Sequence, residues 1–566
     1  MMRILVLAFM VLVLLSGCNS SGQTTVVPQP GNKADLAFIN ARVYTLDSNF
    51  PWAEALLVKN NQILFVGDKT AAETHIGAST RIIDLQGKML MPGIHDTHLH
   101  PLEAGSARVS CHLDSEQTLS QMLSIIEGCV QDSAGQDWLL GWGHALETLL
   151  NGQQTPRALL DQIANDRPIA IMEATSHSVW VNSKALERAG ITDSTPHPVG
   201  GAILKDSQGK PNGVLLDSAG DQVFELANAP TDANMRDNYI GLQYGLEQVA
   251  KNGITSIVDA RIYWQRGYLE TWQRMAREGK LTARAQLSLW AYPSLDDNDQ
   301  LERLKSMYHS DPSSLLQVNK IKLYSDGIIH NTTAALHAPY TQSFPEVGDR
   351  GLNYFTKERL TRYVTELERV GFDMHIHAIG DRGVTESLDA IEAAKGVNNL
   401  QQRRHRLTHI ELVSEQDKPR FAQLGVIADF QLAGDFTKPE NHHWSEALVG
   451  ERAHKMLPVK DILDTGAVVT LSSDWDVSSL SPFIGMQNAL TRGAQSFPDR
   501  HSVIKAYTLN GAYSMQQEQY TGSLEVGKWA DLIVVDRNLL TADVNTIGAT
   551  RVLLTMVNGK IVYNQL

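Results

Sequence analysis

The chain reads as an α/β protein built on a (β/α)8 TIM barrel, with a small β-sandwich formed by both termini and a large insertion after the first barrel strand. Three observations carry this reading. Eight short apolar runs alternate with helix-patterned segments through the middle of the chain. Short β-patterned runs, divided by turn residues, occupy both ends. About 150 residues separate the first two of the eight runs, too many for a loop without structure of its own.

From the N-terminus, residues 1–17 read as a signal peptide. Arg3 supplies the positive charge, and Ile4 to Leu15 form an apolar stretch too short to span a bilayer. Leu15-Ser16-Gly17-Cys18 resembles a bacterial lipobox, which implies lipidation of Cys18 as the first mature residue. An ordinary signal peptide cut nearby is the alternative. Residues 18–33 are rich in Ser, Gly, Gln, Thr and Pro and read as a flexible tether. Asn19 follows the cysteine. By resemblance to lipoprotein sorting, this implies export and anchoring to the outer membrane, facing the periplasm.

Residues 34–88 hold the runs Leu36–Ile39, Ala55–Val58, Ile63–Val66 and Arg81–Asp84, separated by Asn60-Asn61 and Gly67-Asp68. Residues 518–566 repeat the pattern in Asp531–Val535 and Val552–Val557, before the hairpin signal Asn558-Gly559. One β-sandwich built from both termini follows. Residues 89–517 form the barrel, with strands expected at Met89–His100, Ile254–Asp259, Ala283–Trp290, Lys320–Asp326, Phe372–His377, Arg404–His409, Val426–Gln431 and Val468–Asp474. The insertion covers about residues 102–237, because so long a segment needs its own structure.

The formal net charge of −14 argues against nucleic acid, whose phosphates need a basic surface. Cys111 and Cys129 remain after Cys18; an exported chain permits a disulfide, and two buried thiols are the alternative. A homodimer is left open.

The chemistry begins at Met91-Pro92-Gly93-Ile94-His95-Asp96-Thr97-His98-Leu99-His100. Residues two apart share a strand face, so His98 and His100 point the same way. They sit where barrel enzymes place catalytic groups, and imidazoles are common metal ligands. Ile321 and Leu323 fit the helix-facing side of their strand, which turns Lys322 into the barrel, where a charged amine needs a partner. His377, His409 and Asp474 end three further strands. Chance placement of such residues on strands one, four, five, six and eight is hard to credit.

These strings resemble the amidohydrolase superfamily, particularly the family 3 branch that includes N-substituted formamide deformylases. The likeness runs from Ala34 to the C-terminus. It rests on Pro92-Gly93 before the histidine pair, His377 to Asp381, Ser473-Asp474-Trp475, the late segment Gly522 to Leu532, and Ser176 to Ser183 in the insertion. The resemblance implies that His98 and His100 bind a more buried metal and His377 and His409 a more exposed one. Lys322 matches a lysine that reacts with carbon dioxide, giving a carbamate that bridges two divalent ions. Asp474 matches an aspartate that is both metal contact and proton shuttle. The implied activity is hydrolysis of a non-peptide carbon–nitrogen bond in a small amide-like substrate, N-acyl or formamide, by a metal-bound hydroxide with Asp474 as general acid and base. Zinc suits imidazole with oxygen ligands; manganese, iron and cobalt are alternatives. A deaminase of a small cyclic substrate would use the same groups. A surface lipoprotein that only binds a ligand would show gaps in the ligand set, and none is visible.

Further candidates are weighed against plain packing. Asp96 and His375 could support the metal ligands, or serve the core. Asp381 suits a cap for the helix after strand five, with a substrate role as the alternative. His177, Trp180 and Asn182 could reach over the barrel mouth to substrate, or pack inside the insertion. Asp326, His330, Trp142 and His144 are loop candidates without a role. Thr408 stands where the family often has Glu, and Ile410-Glu411 also departs from its pattern. Both differences bear on substrate identity more than on metal binding.

Overall fold

The computed structural model describes residues 33–566 other than 108, 109, 134 and 401. The signal segment, Cys18 and the tether up to residue 32 lie outside the described residues. Eight parallel strands form one sheet in chain order: Ile94–Leu99, Ile254–Ile262, Arg284–Trp290, Leu316–Tyr324, Asp373–Ala378, Arg406–His409, Ile427–Gln431 and Val469–Ser472. The eighth strand returns to the first. Just beyond it, the Asp474 N–H donates to His98 O at 2.8 Å, and the His100 N–H donates to Trp475 O at 2.7 Å. The protein is therefore a nearly closed (β/α)8 barrel.

Alternation decides what each strand offers to the two sides of the barrel wall. Ile321 and Leu323 join the large apolar cluster that includes Leu360, Val364 and Leu367 of the helix Lys357–Val370. Lys322 between them turns the other way, pairing in register with His375, while Tyr324 pairs with His377. One expectation fails at the first strand. Met89–Pro92 belongs to the terminal sheet, paired with Arg42–Tyr44 and Leu532–Val535, and the barrel strand begins at Ile94. Gly93 separates the two, and a Cβ there would lie 2.1 Å from Thr255 Oγ1. Only one residue lies between the two strands, so the sequence shows no turn to divide them.

The two chain ends form a four-stranded and a six-stranded sheet. Their shared core takes Phe38, Leu56 and Val58 from one and Leu90, Val534 and Met556 from the other. Arg284 at the foot of the barrel reaches this module. Its Nε donates to Asp531 at 2.6 Å, and the guanidinium lies 3.6 Å from the centre of the Trp529 ring. The late Trp529-Ala530-Asp531 string thus anchors the terminal module to the barrel.

The insertion is a six-stranded sheet running from Cys111–His112 to Pro211–Asp217, with helices Leu119–Asp132 and Pro156–Ile163 packed on it. Cys111 and Cys129 form a disulfide, their Cα atoms 5.7 Å apart. The helices Pro101–Ala107 and Asp232–Lys251 pack together as part of the barrel wall. A Cβ on Gly105 would lie 1.9 Å from Gly241 O, so glycine permits the approach. The insertion proper therefore lies between these helices, narrower than residues 102–237.

Candidate active site

At the C-terminal end of the barrel, His98 Nε2 and His100 Nε2 both lie 3.2 Å from Asp474 Oδ1. His409 Nδ1 lies 3.9 Å from Asp474 Oδ2, and the His377 and His409 rings are 4.5 Å apart. Lys322 stands beside them, its Nζ 5.2 Å from the centre of the Tyr324 ring. Tyr324 in turn stacks on His377 at 4.1 Å. The structure thus gathers His98, His100, Lys322, His377, His409 and Asp474 at one place. His409, Ile410 and Asp474 hold left-handed backbone, with φ of 76°, 52° and 53°. Non-glycine residues kept there cost on the order of 1–3 kcal/mol each, and such strain clusters at functional sites.

Beneath these side chains lies a buried polar lattice. His98 Nδ1 shares a hydrogen bond with His375 Nε2 at 2.8 Å and another with Thr408 Oγ1 at 3.0 Å. This leaves His98 Nε2 free to face Asp474. Asp429 accepts from Thr97, Thr470, Ser472, Thr408 and Gln431, joining strands one, six, seven and eight. Asp96 accepts from the N–H groups of His98 and Ser473, so it ties together the backbones at His98 and just before Asp474. Asp429 escaped the sequence reading because one aspartate inside Ile427-Ala428-Asp429-Phe430 looks like an isolated core polar. The signal was its layer: Thr408, Thr470 and Ser472 are also inward polar positions. Thr408 hydrogen-bonds His98 from beneath. His98, His375 and Asp429 also lie close enough together for an ion. Their atoms are already engaged in these bonds, so they brace the site above.

The donor set fits divalent metal. Burial holds the imidazoles of His98, His100, His377 and His409 below the ordinary histidine value, His409 at about 3, which leaves neutral rings with a lone pair to offer. His377 Nε2 donates to Gly327 O at 3.1 Å, while its buried Nδ1 has no partner among the described residues. Burial also drives the Lys322 amine well below the lysine range, and its Nζ has no hydrogen-bond partner among the described residues. Burial alone would raise the Asp474 carboxyl, but the imidazoles around it, with hydrogen bonds from His98 and His100, hold it well below the usual carboxylate range.

A model of the amidohydrolase family matches residues 81–563. The chain belongs to the amidohydrolase family. Among curated proteins, N-substituted formamide deformylase of Arthrobacter pascens is 27% identical over 555 residues, 94% of this chain and 98% of that protein. Protein LONG AFTER FAR-RED 3 of Arabidopsis thaliana is 26% identical over 98% of this chain and 95% of that one. Among solved structures, a metal-dependent hydrolase from Pyrococcus furiosus matches with a TM-score of 0.68 and 24% identity, over 89% of this chain and 100% of that one. It shares the fold.

In this amidohydrolase the insertion supplies one wall of the mouth. His177 stacks against Tyr324 and His377, with ring centres 5.6 and 5.2 Å away. Trp180 and Asn182 do not reach the mouth. Trp180 is fully buried in the insertion core and donates Nε1 to Pro156 O at 2.7 Å. Asn182 caps the helix Ser183–Arg188 and donates to Ala164 O and Arg167 O. Alternation explains the error, since His177, Trp180 and Asn182 do not share one direction along a single strand. Trp180→Ala is expected to cost about 3–5 kcal/mol of stability by opening a cavity. Chemical denaturation checks this, with metal content of the folded fraction unchanged.

Asp326 accepts from Ala335, Ile379 and Gly380 N–H groups, ordering the loops after strands four and five. Gly380, not Asp381, is the cap residue; Asp381 accepts instead from the N–H groups of His337 and Arg382. His330 pairs with Glu147 of the insertion. The Trp142 Nε1 and both His144 ring nitrogens are buried without hydrogen-bond partners among the described residues. Glu411 is a carboxyl pushed up to about 7 by burial.

Gly327 carries a specific load. Its carbonyl holds His377, and a Cβ would come 2.1 Å from Thr333 Oγ1 and 2.8 Å from Asp217 Oδ2. Gly327→Ala is expected to displace that carbonyl, destabilise the fold by about 1–3 kcal/mol and lower metal occupancy. Denaturation and elemental analysis of one sample check both.

Proposed function

We propose that this amidohydrolase hydrolyses a non-peptide carbon–nitrogen bond in a small N-acyl, formamide or related amide. In this reading His98 and His100 hold one divalent ion, His377 and His409 hold a second, and carboxylated Lys322 and Asp474 complete the donor set. Zinc is the first choice, because it suits imidazole with oxygen donors. The observation that carries the reading is the convergence of His98 Nε2 and His100 Nε2 on one oxygen of Asp474, beside a buried Lys322 Nζ with no hydrogen-bond partner among the described residues. The N-substituted formamide deformylase relative, alike over nearly the whole of both chains, supports the choice of bond.

Bound divalent ions supply Lewis acidity, polarising the carbonyl and lowering the pKa of coordinated water to ~7. The chain does the rest. The neutral Lys322 amine adds to carbon dioxide, forming an N–C bond and releasing one proton, which turns an unpartnered donor into an anionic oxygen ligand. Asp474, ionised and held by His98 and His100, accepts a proton from the attacking water. It returns that proton to the nitrogen as the carbon–nitrogen bond breaks, giving a carboxylic acid and an amine. The lattice of His375, Thr408 and Asp429 keeps the His98 ring oriented. The leader and Cys18 fit the same reading with export and lipid anchoring in the bacterial envelope.

The test is an assay of metal-loaded chain against N-acyl and N-substituted formamide compounds, with products identified by mass spectrometry. Release of the free amine with formate or another acid supports the proposal. Ammonia from a cyclic substrate would move the assignment to deamination, and no turnover of any class would leave a binding protein.

A further inference from the structure

The two ring nitrogens of His100 meet different surroundings. Nε2 faces Asp474 at 3.2 Å, while the buried Nδ1 has no hydrogen-bond partner among the described residues. The carboxylate beside Nδ1 is that of Glu103, whose Oε2 lies 3.6 Å away, longer than a hydrogen bond. His100 follows directly on the first barrel strand, and Glu103 stands in the first turn of the next helix, Pro101–Ala107.

The Glu103 oxygen that approaches His100 also accepts from Arg261 Nε at 3.0 Å. Arg261 comes from the end of the second barrel strand, Ile254–Ile262, and is buried. Its Nη1 donates to the Tyr324 hydroxyl at 3.1 Å, and the Tyr324 ring stacks on His377 with centres 4.1 Å apart. Burial works against the Arg261 charge, but the Glu103 carboxylate more than offsets this and holds the guanidinium above its ordinary range. One buried cation thus leads to His100 through one partner and to His377 through the other. A buried ion pair is a poor source of stability, because desolvation of both charges offsets their attraction. Apolar side chains could pack the same strands. What they cannot do is direct a hydrogen. A metal ion at Nε2 of an imidazole takes the lone pair there, which requires the ring hydrogen on Nδ1, and a carboxylate facing Nδ1 favours that tautomer.

Resting on the metal-dependent hydrolysis proposed above, we infer that Arg261 is a positioning residue that joins the two halves of the metal centre. Through Glu103 it keeps the His100 hydrogen on Nδ1 and leaves Nε2 for one ion. Through Tyr324 it braces the ring that fixes the plane of His377, a ligand of the other.

The test is zinc affinity of the full chain, measured by competition with a coloured chelator. The wild type is expected to bind two ions. Glu103→Leu combined with Arg261→Met removes both charges together, so that neither stays buried alone, and should weaken both ions by about 10–100-fold. Glu103→Gln combined with Arg261→Met, which returns an acceptor for the Nδ1 hydrogen, should recover part of the affinity of one ion only. Tyr324→Phe keeps the ring on His377 and loses the hydroxyl that Arg261 grips, and should weaken one ion by about tenfold. Trp180→Ala, in the insertion core, is the control for lost stability. A loss in the first double variant no larger than in Trp180→Ala overturns the inference, and so does the absence of any recovery with glutamine. Should the double variants not fold, wild-type affinity for both ions in Tyr324→Phe overturns it. Each of these results leaves the hydrolysis reading standing if the wild type binds two ions. A wild type that binds only one ion overturns the joining role, and one that binds none overturns the hydrolysis reading and this inference with it.

Discussion

Asp474→Asn is expected to retain its metal and to lose about 10²–10⁴-fold in turnover, the usual worth of a positioned general acid and base. The two side chains have nearly the same shape, and an amide oxygen can still accept from His98 and His100, each 3.2 Å from Oδ1. What the amide lacks is basicity. The native carboxylate stays ionised in a buried place because those histidines hold it well below the carboxylate range. It is therefore present as a base near neutrality, a role the neutral amide cannot fill. The backbone of residue 474 is left-handed, with φ of 53°, a region that asparagine tolerates well. Elemental analysis and steady-state kinetics on one preparation check the prediction. Near-normal turnover would remove Asp474 from the proton path, and metal loss would make it chiefly a ligand.

Lys322→Ala is expected to lose one of two metal equivalents and most activity. The amine is fully buried, and no hydrogen bond holds its Nζ among the described residues. An unpartnered buried polar group is a cost to folding. Bridging two ions as a carbamate would turn that cost into a use. Lys322→Met, closer in volume, serves as the packing control: it should fold as well as the wild type and lose the same metal. Metal content near two in both variants would reject the bridge.

The barrel was legible because its strands are short apolar runs buried on both faces, bounded by turn residues and separated by helical patterns. The ligand candidates were legible because each stands at or near a strand end, where Lys322, His377, His409 and Asp474 interrupt apolar runs. Other parts were hidden for physical reasons. Met89–Pro92 runs into the barrel strand with only Gly93 between them, and the pairing partner separates them. Asp217 meets His177 across 40 residues of chain, a distance over which spacing carries no signal. The Trp180 and Asn182 reading failed because a string shared with a family can be shared for its packing as well as its chemistry. Trp180 fills the insertion core and Asn182 stitches a helix start to two neighbouring carbonyls.

The account stands most directly on metal stoichiometry. The full-length chain would be purified without chelator and with bicarbonate present, and its divalent metal counted per chain by elemental analysis. About two ions per chain is the predicted result. About one would contradict the Lys322 bridge and reduce the site to a mononuclear one. None, in a folded chain offered zinc, manganese, iron and cobalt in turn, would contradict metal-dependent hydrolysis altogether.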